Sequence, residues 1–224
     1  GLFSGIFTGA SVVISRYFGA KDDEGVSTAV HTTVAFGLVS GVLITAAGTL
    51  LSPHMLRLLG TPENVMPNSL LYFRTYFYGA VFVVLYNTAN GIFQAVGDSK
   101  HPLYYLIVSS AINVVLDILF VGPLHMGIAG AAWATVIAQA ISAILCLIYI
   151  VKKFPILHLK KENFTVSFQE LGKLLALGIP MALQFSITAI GIIVVQGAIN
   201  VYGENYMAGF SAAGKLQNIF TTVF

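Results

Sequence analysis

Seven apolar stretches, near residues 1–18, 26–52, 67–96, 102–122, 127–151, 171–202 and 206–224, occupy most of this 224-residue chain. Each is close to or longer than the roughly 20 residues that an α-helix needs to cross about 30 Å of hydrocarbon. That length decides the fold class. In lipid every backbone N–H and C=O must find its partner within the chain, so only helices and closed barrels can span. The stretches are too long for strands and do not alternate, which leaves helices. Only 9% of the residues are charged, against about 25% in soluble domains. The apolar surface therefore needs lipid around it. The expected fold is all-α, a polytopic membrane helical bundle with about seven transmembrane helices.

The connections carry punctuation. Gly19 to Glu24 is a short polar turn in which Asp22 or Asp23 can cap the next helix. Thr61-Pro62-Glu63 reads as an N-cap followed by proline in the first helical position. Gly97 to Pro102 is a tight turn between two spans. Ser167-Phe168-Gln169-Glu170 matches a capping box, so a helix should start there, with a kink at Pro180.

Charge placement sets an expected orientation. Arg16, Lys21, Lys100, Lys152, Lys153, Lys160, Lys161 and Lys173 fall near the connections after the first, third and fifth stretches. The opposite connections have only Arg57 and Arg74 at their edges. The lysine-rich connections are accordingly expected in the cytoplasm, in a multi-pass protein of the inner (plasma) membrane. The net charge of +2 gives no reason to expect nucleic acid as a partner.

Of the nine acidic residues, Asp117 alone lies deep inside an apolar stretch. On insertion scales an aspartate in mid-helix costs roughly 2.5–3.5 kcal/mol. Asn113 precedes it by four residues and Ser109 by eight, so the three share a helix face. One reading is a polar clamp between helices, and the other is a site that binds an ion or a proton. Three other stretches carry polar groups at helical spacing: Asn87, Asn90 and Gln94; Thr135 and Gln139; and Gln184, Thr188, Gln196 and Asn200. Such groups either join helices or line a cavity. Together with Asp117 they favour a bundle around a wet centre, with Asn87, Asn90, Gln94, Gln184, Thr188, Gln196 and Asn200 as its candidate lining.

The small-residue pairs Gly5/Gly9 and Gly37/Gly41 predict close helix approach. Lys215, inside the last stretch, can snorkel, pair with a carboxylate or meet an anionic substrate. The histidines His31, His54, His101, His125 and His158 are scattered, mostly at connection edges, and Cys146 is the only cysteine. No metal site is expected from that pattern. No nucleophile elbow, phosphate-cradling loop or HExxH motif occurs, so no catalytic residue is assigned and an enzyme is not expected. The chain has no initiating Met, opens inside one apolar stretch and closes inside another. It is read as an internal piece of a longer protein.

Five segments occur in one order: Ser15-Arg16-Tyr17-Phe18-Gly19-Ala20-Lys21-Asp22, Gly97-Asp98-Ser99-Lys100-His101-Pro102, Asn113-Val114-Val115-Leu116-Asp117, the run from Gly127 to Thr135, and Leu177-Gly178-Ile179-Pro180. This series resembles the multidrug and toxic compound extrusion (MATE) family of secondary transporters. The resemblance implies a twelve-helix protein of two six-helix lobes. Residues 1–151 would hold most of the amino-terminal lobe without its first helix, 152–170 a cytoplasmic linker, and 171–224 the start of the carboxy-terminal lobe. It implies export of small cationic amphipathic compounds in exchange for H+ or Na+, with no other cofactor, by an expected monomer in a lipid bilayer. It further implies a cation site on Asn113, Asp117 and Thr135, which in the family is completed by an aspartate on the first helix. Some members carry a glutamate on the seventh helix, after the Gly-Ile-Pro motif. Thr188 stands in that neighbourhood here without a carboxylate, which favours coupling through the amino-terminal lobe. A lipid or glycan flippase of similar helical plan is the nearest alternative, although its anionic cargo would call for a more cationic cavity. A non-transporting scaffold is the other, and it would tolerate leucine in place of Asp117.

Overall fold

The computed structural model describes residues 2–58, 63, 66–153, 166–200, 210, 213 and 214. Among them the chain is all-helical, in seven helices: α1 (Leu2–Gly19), α2 (Asp23–Leu58), α3 (Met66–Tyr78), α4 (Ala80–Ala95), α5 (Lys100–Val121), α6 (Gly127–Lys153) and α7 (Phe168–Asn200). Four of these, α2, α5, α6 and α7, are each long and apolar enough to cross a membrane. The α3–α4 pair makes a fifth candidate span, bent by 42°. The expected stretch at 206–224, with Lys215, and the Thr61-Pro62 start signal lie outside the described residues, as does most of the 152–170 connection.

The expected boundaries hold closely, because turn chemistry fixes them. Asp22 caps α2, with its Oδ1 accepting from the Gly25 N–H at 3.0 Å. Gly97 takes the left-handed φ of +78°, and the Asp98 N–H returns to the Phe93 carbonyl at 2.9 Å, closing the end of α4. Ser167 caps α7 by accepting from the Glu170 N–H at 3.3 Å. The reciprocal arm of the box is absent. The Ser167 N–H donates instead to Thr32 Oγ1 on α2 at 3.2 Å, and the Glu170 carboxylate turns to α1. Helix α7 is continuous through Pro180.

The third apolar stretch is two helices rather than one. The break falls at Gly79, where an added Cβ would come within 2.7 Å of a Val136 methyl on α6. The missing side chain lets α6 press against the backbone at the bend. Helix α4 is the hub, touching all the other helices except α7. The main core joins α1, α2, α4 and α6 through residues such as Ile14, Val30, Phe93 and Cys146. A smaller cluster of Ile6, Ala10, Leu174 and Ala182 joins α1 to α7. The expected close approach is seen here: a methyl group on Gly5 would collide with the Ala182 backbone, and one on Gly9 with Gly178. On α2, a methyl group on Gly37 would collide with the Thr88 side chain of α4, and one on Gly41 would press on Val81 at 3.1 Å.

Candidate functional site

Helix α5 is set apart from the core. It packs along α6, touches α4 only slightly, and buries only Pro102 and Ser109. The face predicted from spacing therefore sits at the margin of the described bundle. Ser109 donates to the Leu106 carbonyl at 3.2 Å within its own helix. Asn113 and Asp117 are both half-buried. Asn113 Nδ2 and Asp117 Oδ1 are shielded from solvent, yet neither has a hydrogen-bond partner among the described residues. Leaving a buried polar atom unpaired costs about 1–3 kcal/mol, and more for a charged group. Two such atoms one helical turn apart form a place with polar capacity to spare. An Asn side chain turned over presents its oxygen where its nitrogen stood. The pair can thus offer a carboxylate with either an amide donor or a second oxygen. A carboxylate and an amide oxygen suit a hard monovalent cation, and the carboxylate alone suits a proton.

Thr135 lies on α6, the helix packed along α5, but its hydroxyl donates to the Ala131 carbonyl at 3.0 Å. No hydrogen bond joins it to Asn113 or Asp117 among the described residues. The structure thus brings Asn113 and Asp117 to one face and leaves Thr135 self-bonded.

A second polar feature lies between α4 and α1. Asn87, Asn90 and Gln94 share a cavity of about 190 Å³ with Ser4 and Thr8 of α1. Gly91 makes the approach possible, since a Cβ there would come within 2.8 Å of the Phe7 carbonyl oxygen. The lining is partly self-satisfied: Asn87 Nδ2 donates to Val83 O at 2.8 Å, and Thr8 Oγ1 donates to Ser4 O at 2.8 Å. Ser4 and Thr8 were not singled out in the sequence. Their i, i+4 spacing was the available signal.

The α7 stripe does not join this cavity. Gln184 and Thr188 are exposed, and the Thr188 hydroxyl donates to the Gln184 carbonyl at 3.0 Å. The side chains of Gln196 and Asn200 lie outside the described residues.

Three groups escaped the sequence reading. His31 lies within the expected stretch 26–52, but its burial was not foreseen. It is 1% exposed within α2, with Nδ1 3.3 Å from Ser27 Oγ. At the junction of α1 and α7, Tyr17 donates to Glu170 Oε1 at 2.9 Å, while Lys173 Nζ reaches both Glu170 Oε1 and the Tyr17 hydroxyl at 2.8 Å. At the start of α5, His101 Nδ1 lies 2.7 Å from Asp98 Oδ2 and Nε2 lies 2.9 Å from the Tyr149 hydroxyl. With Nδ1–H given to the carboxylate, the neutral ring accepts from Tyr149. Burial opposes ionisation of Asp98, but the hydrogen bonds from His101 outweigh it and hold the carboxyl below its ordinary range. No cluster of three or more potential metal ligands occurs among the described residues.

Comparison with known proteins places these features in context. The family model described as MatE matches residues 1–119. The probable multidrug resistance protein YpnP of Bacillus subtilis (strain 168) is 33% identical over 223 residues, covering 97% of this chain and 48% of that protein. Among solved structures, an outward-facing multidrug resistance MATE family transporter of the MOP superfamily aligns at 26% identity and TM-score 0.87, covering 97% of this chain and 49% of that one. An inward-facing structure described in the same terms aligns at 27% identity and TM-score 0.83, covering 97% and 50%. The chain spans about half the length of the relatives it matches.

Proposed function

Because this chain belongs to the MatE family, we propose that it is part of a secondary active transporter that exports cationic amphipathic compounds in exchange for H+ or Na+. The observation that carries this reading is the pair of shielded, unpartnered atoms on α5, Asn113 Nδ2 and Asp117 Oδ1. A polar clamp between helices would satisfy such atoms. A loading site must leave them free in one state and filled in another. In the proposed cycle, Asp117 takes up a cation from outside, with Asn113 beside it and Thr135 as a contributor from α6. Loading neutralises the carboxylate and favours a repacking that releases the organic substrate outward. Inward opening then returns the cation to the cytoplasm and re-exposes a negative site. Cation and substrate need not touch, provided each binds one conformation better than the other.

The α1–α4 cavity with Asn87, Asn90 and Gln94 is assigned to the substrate route, and Gln184 and Thr188 to the facing surface of the second lobe. The lysine-rich connections are assigned to the cytoplasmic side by charge bias. Residues 1–151 and 171–224 are assigned to successive lobes of an inner-membrane monomer. The reading is transport rather than catalysis.

The test uses the whole protein in proteoliposomes loaded with a fluorescent organic cation. Imposed proton and sodium gradients are applied separately, and one of them should drive transport at several times the gradient-free rate. Transport that ignores both gradients would remove the exchange mechanism.

A further inference from the structure

The groove at the junction of α1 and α7 takes no part in the proposed coupling, and its construction is specific. Its walls are two matching helix faces. Val13, Arg16 and Tyr17 stand at i, i+3 and i+4 on α1, and Lys173, Ala176 and Leu177 repeat that spacing on α7. The helices pass close to one another because Gly9 meets Gly178 below. Between them lies a groove of about 390 Å³.

Polarity changes along its length. Arg16 is in the last turn of α1 and Lys173 is in the second turn of α7, so both cations lie toward the helix ends. Val13, Ala176 and Leu177 lie one turn deeper. Arg16 is exposed, and its guanidinium has no hydrogen bond or ion pair among the described residues. The Lys173 ammonium gives two bonds, to Glu170 and Tyr17, and has a third proton to give. The charged residues that line the groove are both cations, Arg16 and Lys173. Of the carboxylates nearby, Glu170 is paired with Lys173 and Asp22 caps α2 beside the Tyr17 ring, which leaves the Arg16 guanidinium uncompensated at the mouth. A charged mouth above an apolar floor is the profile of an amphiphile with an anionic head.

We infer that this groove holds an anionic phospholipid, its phosphate between Arg16 and Lys173 and an acyl chain against Val13, Ala176 and Leu177. Basic pockets between helices at the cytoplasmic face are suited to acidic head groups. A free phosphate would use the mouth but gain nothing from the floor. A zwitterionic lipid would use the floor but leave the positive mouth uncompensated. The leaflet follows from the proposed orientation, which puts these helix ends in the cytoplasm. A lipid held here ties α1 to α7 at the junction where Tyr17 and Glu170 already meet.

Native mass spectrometry of the whole protein, with phosphatidylglycerol or phosphatidylcholine added, tests the inference. At least a fivefold preference for phosphatidylglycerol is expected. It should be lost in Arg16→Gln and in Ala176→Trp, which fills the floor without altering charge, and retained in Arg16→Lys. Gel filtration selects folded protein for each variant. Absence of a preference, or a preference that survives both Arg16→Gln and Ala176→Trp, overturns the site. So does inorganic phosphate that displaces the lipid at millimolar concentration, since it would mark a soluble-anion site. The leaflet is read separately from labelling of a Lys21→Cys variant in intact cells. Labelling by an impermeant reagent from outside overturns the leaflet assignment and the proposed orientation, while the lipid preference stands or falls on the binding data.

Discussion

Helix α5 is bracketed by two acids that the fold treats in opposite ways. Asp98, just before it, is held by the backbone and ring of His101, which Tyr149 braces in turn. Asp117, well inside it, has an oxygen shielded from solvent with no partner among the described residues. The first acid has a complete explanation in its neighbours: it caps a helix and joins α5 to α6. The second has none, although its placement is the more costly. A structural acid is recognised by its bonds. An acid that binds and releases a cation is recognised by bonds it has yet to make.

The largest expected effect separates these two roles. Asp117→Asn in the whole protein should lower gradient-driven efflux about 100-fold, the upper range of a coupling free energy, with expression and melting temperature close to wild type. Asp117→Leu should do the same, whereas a scaffold would keep its function. If either substitution instead lowers stability by several kcal/mol and efflux only in proportion, Asp117 belongs with Asp98 and the contrast disappears.

Asn113 sharpens the comparison at the next level. It supplies one group to the site rather than the charge. Asn113→Ala should weaken the apparent affinity for the coupling ion by about 10-fold, the scale of one hydrogen bond or ligand at a charged group. Saturating ion should restore the maximal rate. A loss of maximal rate with unchanged ion dependence would remove Asn113 from the site. Thr135→Val should have a smaller effect, about threefold or less, since that hydroxyl is already committed to the Ala131 carbonyl.

The sequence made these distinctions only partly visible. Helix ends were legible because each rests on local chemistry: Asp22, Gly97 and Ser167 act on atoms within five residues of themselves. The shared face of Asn113 and Asp117 was legible for the same reason, since helical spacing is local. The break at Gly79 was not, because its cause is Val136 on another helix. Nor was the fate of Glu170. The capping-box pattern assigned its carboxylate to its own helix start, but Tyr17 and Lys173 hold it instead. The burial of His31 was not legible either: the stretch 26–52 contains it, but which face of that helix meets its neighbours is not local information. Whether an acid has partners is likewise a three-dimensional fact. Nothing in the residues around Asp98 and Asp117 says that Tyr149 lies within reach of His101 beside the first and that no described residue reaches the second.

The smallest expected effect concerns Asp98 and depends on pH. Its folded-state pKa is lowered, against the pull of burial, by hydrogen bonds from His101. A lowered carboxyl pKa contributes stability that is present above the unfolded value of about 3.9 and lost as pH falls through the folded value. Asp98→Asn should therefore lower the thermal midpoint at neutral pH by an amount worth about 1 kcal/mol, the scale of one intramolecular hydrogen bond. The gap between variant and wild type should close as pH falls below about 4. Tyr149→Phe, which takes one bond from the far side of His101, should narrow that gap without abolishing it.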